Sequence, residues 1–391
     1  MNTTHKAIIM LLRSGITGEK LQLPGDADME AVSKIIGRQS VATLVYQGAV
    51  NCGMDASLPL MRKLFAYYCR ALMRSELQMQ AVERIYKIFE ENEIPFVPLK
   101  GCNIKKLYPK PELRPMGDAD ILIRVEDHQR IASLMVQLGF EMIREDDHVF
   151  EWHSAQLHVE LHKSLVPPMD EDYFAYYGDG WAFAVKGEGY RHDLSVEDAY
   201  VFLFAHFARH YRGGGIGSRH VVDLYVYRCA YPDMNMEYIS GELRKLRLLE
   251  FHYNMMKLLD VWFRDCEEDP VTQLATSFIF SGGSWGSMEA EMYSREVKAA
   301  RKAGGVKKSG VRAVLHALFP SRQSLAYRYC AVRKSSLLVP VFWVVRWLDI
   351  LFLRPRKIRR RLEILKKVNN EGVLSYGRAL EMVGLEFSED V

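Results

Sequence analysis

The stretch Arg114-Pro115-Met116-Gly117-Asp118-Ala119-Asp120-Ile121-Leu122-Ile123-Arg124 decides how this 391-residue chain is read. Gly117 breaks the chain, and Ile121, Leu122 and Ile123 then form an apolar run rich in β-branched residues, the composition of a buried strand. Residues two apart in a strand point to one face, so the Asp118 and Asp120 carboxylates converge, about 6–7 Å apart along the backbone. Hard cations such as magnesium take oxygen ligands, commonly one or two carboxylates completed by substrate phosphates and water. Taken alone, an Asp-x-Asp pair also suits a solvated turn, so the flanking sequence has to decide.

Upstream, Ile94 to Leu99 (IPFVPL) holds two prolines and reads as a short edge strand. It ends in Leu99-Lys100-Gly101 and runs into CNIKKLY, a short helical stretch. A strand, a glycine and a helix start together make a place where backbone N–H groups meet phosphate. Lys100 adds a positive charge there, and the planar fork of Arg114 is suited to phosphate oxygens. Downstream, Glu126 to Leu138 fits one amphipathic helix stopping at Gly139. Leu157 to His162 (LHVELH) alternates with period two, which places His158, Glu160 and His162 on one face and offers Glu160 as a third carboxylate. Residues 94–165 are therefore expected to form a compact α/β unit with a small sheet.

Outside that unit the pattern is helical. Leu64, Tyr67, Tyr68 and Leu72 recur at helical spacing in the first ninety residues, and helical spacing returns at Ser195, an N-cap candidate followed by acids. RGGGIGS and SGGSWGS interrupt the later helices. The expected plan is a helical region over 1–92, an α/β core over 93–194, a helical domain over 195–300 and a basic helical tail over 301–391. The net charge of +3 hides an asymmetry: from residue 301 onward there are 19 Lys and Arg against 7 Asp and Glu. Such a tail suits either a solvated helical face or peripheral contact with phosphates or anionic lipid. Ser335 to Leu353 is apolar, but Arg346 cuts it well short of the roughly 20 residues that span a bilayer, so no transmembrane segment is expected. The expected state is a docked helix, with an interfacial helix beside RPRKIRRR as the alternative. The six cysteines are scattered without a C-x-x-C pair, as in a protein of the reducing cytoplasm. His206 and His210 lie four apart on a helix face, but Phe207 stands where a zincin needs Glu, so they read with Asp223 as a supporting network or as the acceptor side.

Taken as a set, LKGCNIKKLY, RPMGDADILI and VELH, followed by HFARHYRGGGIGSRHVVDL, resemble the polymerase-β-like nucleotidyltransferase superfamily. The likeness is strongest to its bacterial branch of uncharacterised nucleotidyltransferase family proteins, over roughly residues 30–290. The resemblance implies an α+β fold, a small mixed sheet flanked by helices. It also implies Mg²⁺- (or Mn²⁺-) dependent transfer of a nucleoside monophosphate from an NTP to an acceptor hydroxyl on a small molecule, protein or RNA. The metal and catalytic carboxylates would be Asp118, Asp120 and Glu160, with nucleotide held by Lys100, Gly101 and Arg114. His158, His162, His206, His210 and Asp223 would support the site or face the acceptor. Two departures stand out. The phosphate loop reads Lys100-Gly101-Cys102 where the superfamily usually has Gly-Gly or Gly-Ser, and Glu160 stands where the branch often has Asp. They leave open an alternative, a nucleotide-binding regulatory or interaction protein that keeps the fold without turnover.

Overall fold

A computed structural model describes residues 1–302, 335–353 and 370–385, with eight further residues between 319 and 332. Four helices open the chain: α1 (Thr3–Thr17), α2 (Met29–Gln39), α3 (Ala42–Asn51) and the long α4 (Pro59–Glu91). The Asn2 side chain caps α1 by accepting from the His5 N–H, and Gly18 ends it in the left-handed region. α1 and α3 approach backbone to backbone, since a Cβ on Gly48 would sit 1.9 Å from the Leu11 carbonyl oxygen.

The core then runs β1 (Phe96–Pro98), α5 (Lys100–Lys105), β2 (Asp118–Ile123), α6 (His128–Gln137), β3 (Glu141–Glu145), β4 (Val149–His153) and β5 (His158–His162). Five strands form one mixed sheet in the order β1-β2-β5-β4-β3. β2 and β5 are parallel, and the other neighbours are antiparallel. The fold is thus α+β, with a small mixed sheet flanked by helices. The edge position of the proline-bearing β1, the alternation of β5 and the stop of α6 at Gly139 (φ +81°) follow the sequence pattern. β3 and β4, between α6 and β5, were not anticipated.

Parity divides the sheet into two faces. Ala119, Ile121 and Ile123 of β2, Val159 and Leu161 of β5, and Phe150 and Trp152 of β4 are buried in one apolar cluster. Val82, Ile85 and Phe89 of α4 and Ile131 and Met135 of α6 complete it. Each fully buried side chain of this kind contributes about 1.5–3 kcal/mol, so the alternation strongly fixes the register. A one-residue slip would exchange the two faces. The even-numbered residues of β2 and β5, among them Asp118, Asp120, His158, Glu160 and His162, are left on the opposite face.

Beyond the sheet come α7 (Glu171–Tyr177), a hairpin of β6 (Ala184–Lys186) and β7 (His192–Leu194), α8 (Val196–Gly214), α9 (Ser218–Ala230), α10 (Met236–Lys245), α11 (Leu249–Phe263), α12 (Pro270–Ser281) and α13 (Met288–Lys302). Ser195 Oγ accepts from the Asp198 N–H at 3.0 Å, the cap read from the sequence. The glycine runs separate α8 from α9 and α12 from α13. Two further helices are described, α14 (Val339–Leu353) and α15 (Asn370–Met382). The chain divides into two compact units, one of residues 1–209 and 216–285, the other of 210–215 and 286–391.

Within the second unit, Trp343 and Trp347 of α14 contact Phe319, while Val341, Val344, Val345 and Leu348 lie exposed on the same helix. Among the described residues, α14 is therefore contacted on the side that carries Trp343 and Trp347. Among the described residues no helix is long and apolar enough to cross a membrane. The basic run RPRKIRRR lies outside the described residues.

Candidate active site

The parallel pairing of β2 with β5 sets Asp118 beside His158, Asp120 beside Glu160 and Leu122 beside His162. Asp120 Oδ1 lies 2.9 Å from His162 Nε2, and Glu160 Oε2 lies 3.5 Å from the same nitrogen. One atom from each of Asp120, Glu160 and His162 falls within a sphere of ligation, all mutual distances being at most 4.8 Å. Asp118 opens the strand two pairs earlier, half-buried and outside that group. Lys100, the first residue of α5, places Nζ 4.0 Å from Asp120 Oδ2 and 3.2 Å from His206 Nδ1. A Cβ on Gly101 would stand 3.8 Å from Asp120 Oδ2, so this glycine borders the carboxylates directly. His158 Nε2 lies 3.9 Å from Glu160 Oε1.

The loop that delivers Asp118 is held by its carbonyls. Leu113 O accepts from Thr43 Oγ1 of α3 at 3.0 Å, Arg114 O from Lys105 Nζ of α5 at 2.8 Å, and Met116 O from Gln78 Nε2 of α4 at 3.1 Å. Buried backbone acceptors need partners, and these three come from three different helices. The Arg114 guanidinium is also internal. Nε and Nη2 donate to Asp223 Oδ1 and Oδ2 at 2.7 and 3.0 Å, and Nη1 donates to the Gly101 carbonyl at 3.1 Å. Tyr108 donates its hydroxyl to the same Asp223 at 2.8 Å, and Arg219 stands 3.6 Å from it. Asp223 of α9 thus ties three segments together. In this structure the fork of Arg114 is committed to Asp223 and Gly101.

Charge is not balanced across the carboxylates. Burial raises the Asp118 carboxyl above its usual range, and the neighbouring Asp120 adds to the rise. Burial and the charges of Asp120 and Asp118 lift Glu160 to about 8. For Asp120 burial acts in the same direction, but Lys100, His162 and Arg114 outweigh it and hold the group low. Carboxylates crowded in this way are what a divalent cation neutralises, and two carboxylates with an imidazole form a donor set that fits one.

The remaining expected residues separate. His206 joins the site through Lys100. His210 belongs to the second unit, where its carbonyl accepts from the Gly215 N–H at 3.1 Å. Neither enters a metal-type cluster among the described residues. Arg219 contributes a positive charge felt by Asp118. Two participants escaped the sequence reading. His148 meets His162, with its Nε2 3.2 Å from Nδ1. Ser164 meets His148, with its Oγ 3.2 Å from the other ring nitrogen. The last two flank strands that pair only in the folded sheet, and period two within β5 could have flagged nothing beyond His162.

Comparison with curated proteins and with solved structures gives no match. A family model described as "uncharacterised nucleotidyltransferase" matches residues 25–264, more than half of the chain and all of the sheet. On that match, with Asp118, Asp120 and Glu160 on one face of a mixed sheet, the chain belongs to this nucleotidyltransferase family.

Proposed function

We propose that the protein is a divalent-cation-dependent nucleotidyltransferase that moves a nucleoside monophosphate from an NTP to an acceptor hydroxyl. The observation that carries this reading is the Asp120–Glu160 pairing across parallel strands, two pairs from Asp118 and beside Lys100, in a chain of this family. Asp120 and Glu160 would hold the cation with His162 close by, and Asp118 would join them on the same strand face. A bound cation supplies Lewis-acid polarisation of the α-phosphate and lowers the pKa of the attacking hydroxyl.

The chain's own groups account for the rest. Lys100 pairs with phosphate oxygens, and Arg219 adds positive charge on the Asp118 side. The acceptor oxygen attacks the α-phosphorus, the bond from that phosphorus to the β-bridging oxygen breaks, and pyrophosphate leaves with the electron pair. Glu160, its side chain 26% exposed, takes the acceptor's proton in this reading. Arg114 acts here as a brace for the Asp118 loop, in place of the direct phosphate contact expected from sequence. The test is incubation with labelled NTPs and Mg²⁺ or Mn²⁺. Turnover is expected in the wild type and lost in Asp118→Asn/Asp120→Asn. Equal turnover in the two would contradict the assignment, and cation-dependent NTP binding without transfer would favour the regulatory alternative.

A peripheral membrane contact is supported by one observation. Val341, Val344, Val345 and Leu348 fall at helical spacing on the exposed side of α14, a few residues before RPRKIRRR. Full-length protein should sediment with anionic vesicles and less so as Val345→Asp; identical sedimentation of the two removes this reading.

A further inference from the structure

The imidazole of His162 terminates a chain of hydrogen bonds whose direction can be worked out from its far end. The Val166 carbonyl can only accept, and Ser164 Oγ donates its single hydrogen to it at 2.8 Å. The 3.2 Å contact between Ser164 Oγ and His148 Nδ1 then needs its hydrogen from Nδ1. The ring partners of His148 are Ser164 and His162, neither of them an anion, so a neutral ring with one proton is the form that fits this largely buried place. That proton sits on Nδ1, and Nε2 therefore carries a lone pair. The 3.2 Å contact from His148 Nε2 to His162 Nδ1 is consequently a bond donated by His162.

With Nδ1 donating to His148, His162 directs Nε2 between Asp120 Oδ1 at 2.9 Å and Glu160 Oε2 at 3.5 Å. In a residue 97% buried, these two carboxylates and the nitrogen call for a positive centre among them, which a proton on Nε2 or a cation ligated by it supplies. We infer that His148 and Ser164 are positioning residues that hold His162 Nε2 as the third ligand of the cation bound by Asp120 and Glu160. The centre is then a mixed carboxylate–imidazole site that prefers a first-row transition ion such as Mn²⁺ or Co²⁺ over Mg²⁺. The preference follows from ligand type: Mg²⁺ takes oxygen and keeps its water, whereas imidazole suits transition ions. The partner that orients a ligating histidine commonly changes metal affinity by about 10–100-fold.

This inference rests on Asp120 and Glu160 being cation ligands, and pulsed EPR of Mn²⁺ bound to the full chain separates the two claims. The expected result is binding of Mn²⁺ by the wild type, with nitrogen modulation from a coordinated imidazole. That modulation should be absent in His162→Gln. His148→Phe, and more mildly Ser164→Ala, should weaken Mn²⁺ and Co²⁺ by about 10-fold while changing Mg²⁺ much less. Mn²⁺ bound in an Asp120-dependent way without nitrogen modulation in the wild type would overturn the inference and leave the proposed activity standing. Failure of the wild type to bind any of these ions, or binding indifferent to Asp120→Asn, would overturn the cation site itself. The wild-type spectrum decides between these outcomes even if a variant does not fold.

Discussion

Two clusters of buried charge lie in the same unit and differ in how completely they are paired. Around Asp223 one carboxylate receives two bonds from Arg114, one from Tyr108 and the nearby charge of Arg219. Around Asp120 three carboxylates share Lys100, at 4.0 Å from one of them, and a histidine whose geometry suits a lone pair as well as a proton. A buried ion pair that is complete gains nothing from a further ligand and loses heavily if one member is removed. A cluster short of positive charge is tense by itself and has a place for a cation. The first cluster therefore holds the loop at Arg114, and the second is the candidate site at the end of that loop.

The largest expected contrast comes from emptying the second cluster of charge. Asp118→Asn/Asp120→Asn should reduce turnover by about 10³-fold or more, in the range seen when a group stabilising transition-state charge is removed. For Asp118→Asn alone the midpoint of urea unfolding should stay the same or rise, because burial and the neighbouring Asp120 disfavour its charged form in the folded state. A large fall in that midpoint would mean that the Asp118 carboxylate is structural. Next is the reverse experiment. Arg114→Met leaves Asp223 and the Gly101 carbonyl short of donors and should cost about 3–5 kcal/mol in unfolding free energy, the usual result of breaking a buried pair. A loss below 1 kcal/mol would mean that the Asp223 cluster does not hold this part of the fold together.

A smaller effect is expected at Asp146, a third buried carboxylate that is fully paired. Burial works to raise it, but the His148 and Val149 N–H groups, at 2.8 and 2.9 Å, together with Arg144, hold it below the usual carboxylate range. A depressed folded-state pKa contributes stability above the unfolded value near 3.9 that is lost as pH falls through the folded value. Asp146→Asn should therefore cost about 1.5–3 kcal/mol at pH 7, and the gap from wild type should close in acid. A gap that widens on acidification would reverse the sign of the argument.

The sequence revealed some of this and hid the rest for identifiable reasons. Period two in HVELH, and strand parity between Asp118 and Asp120 ahead of an apolar run, announced which side chains share a face. β3 was illegible because Glu141, Met142, Ile143 and Glu145 are exposed and carry no alternation. That Asp120 stands beside Glu160 in parallel is a matter of strand order, which neither strand encodes. The partner of Arg114 lies 109 residues away in α9, so a guanidinium four residues before Asp118 read naturally as a phosphate ligand. His148 and Ser164 acquire meaning only once β4 and β5 are paired.

The most direct test of the account is equilibrium binding of a nonhydrolysable NTP analogue, measured against divalent-cation concentration. It needs no knowledge of the acceptor. If these carboxylates hold nucleotide through a cation, the wild type binds tightly only when the cation is present, and Asp118→Asn/Asp120→Asn does not bind under the same conditions. Cation-independent binding that is equal in the two proteins would contradict it.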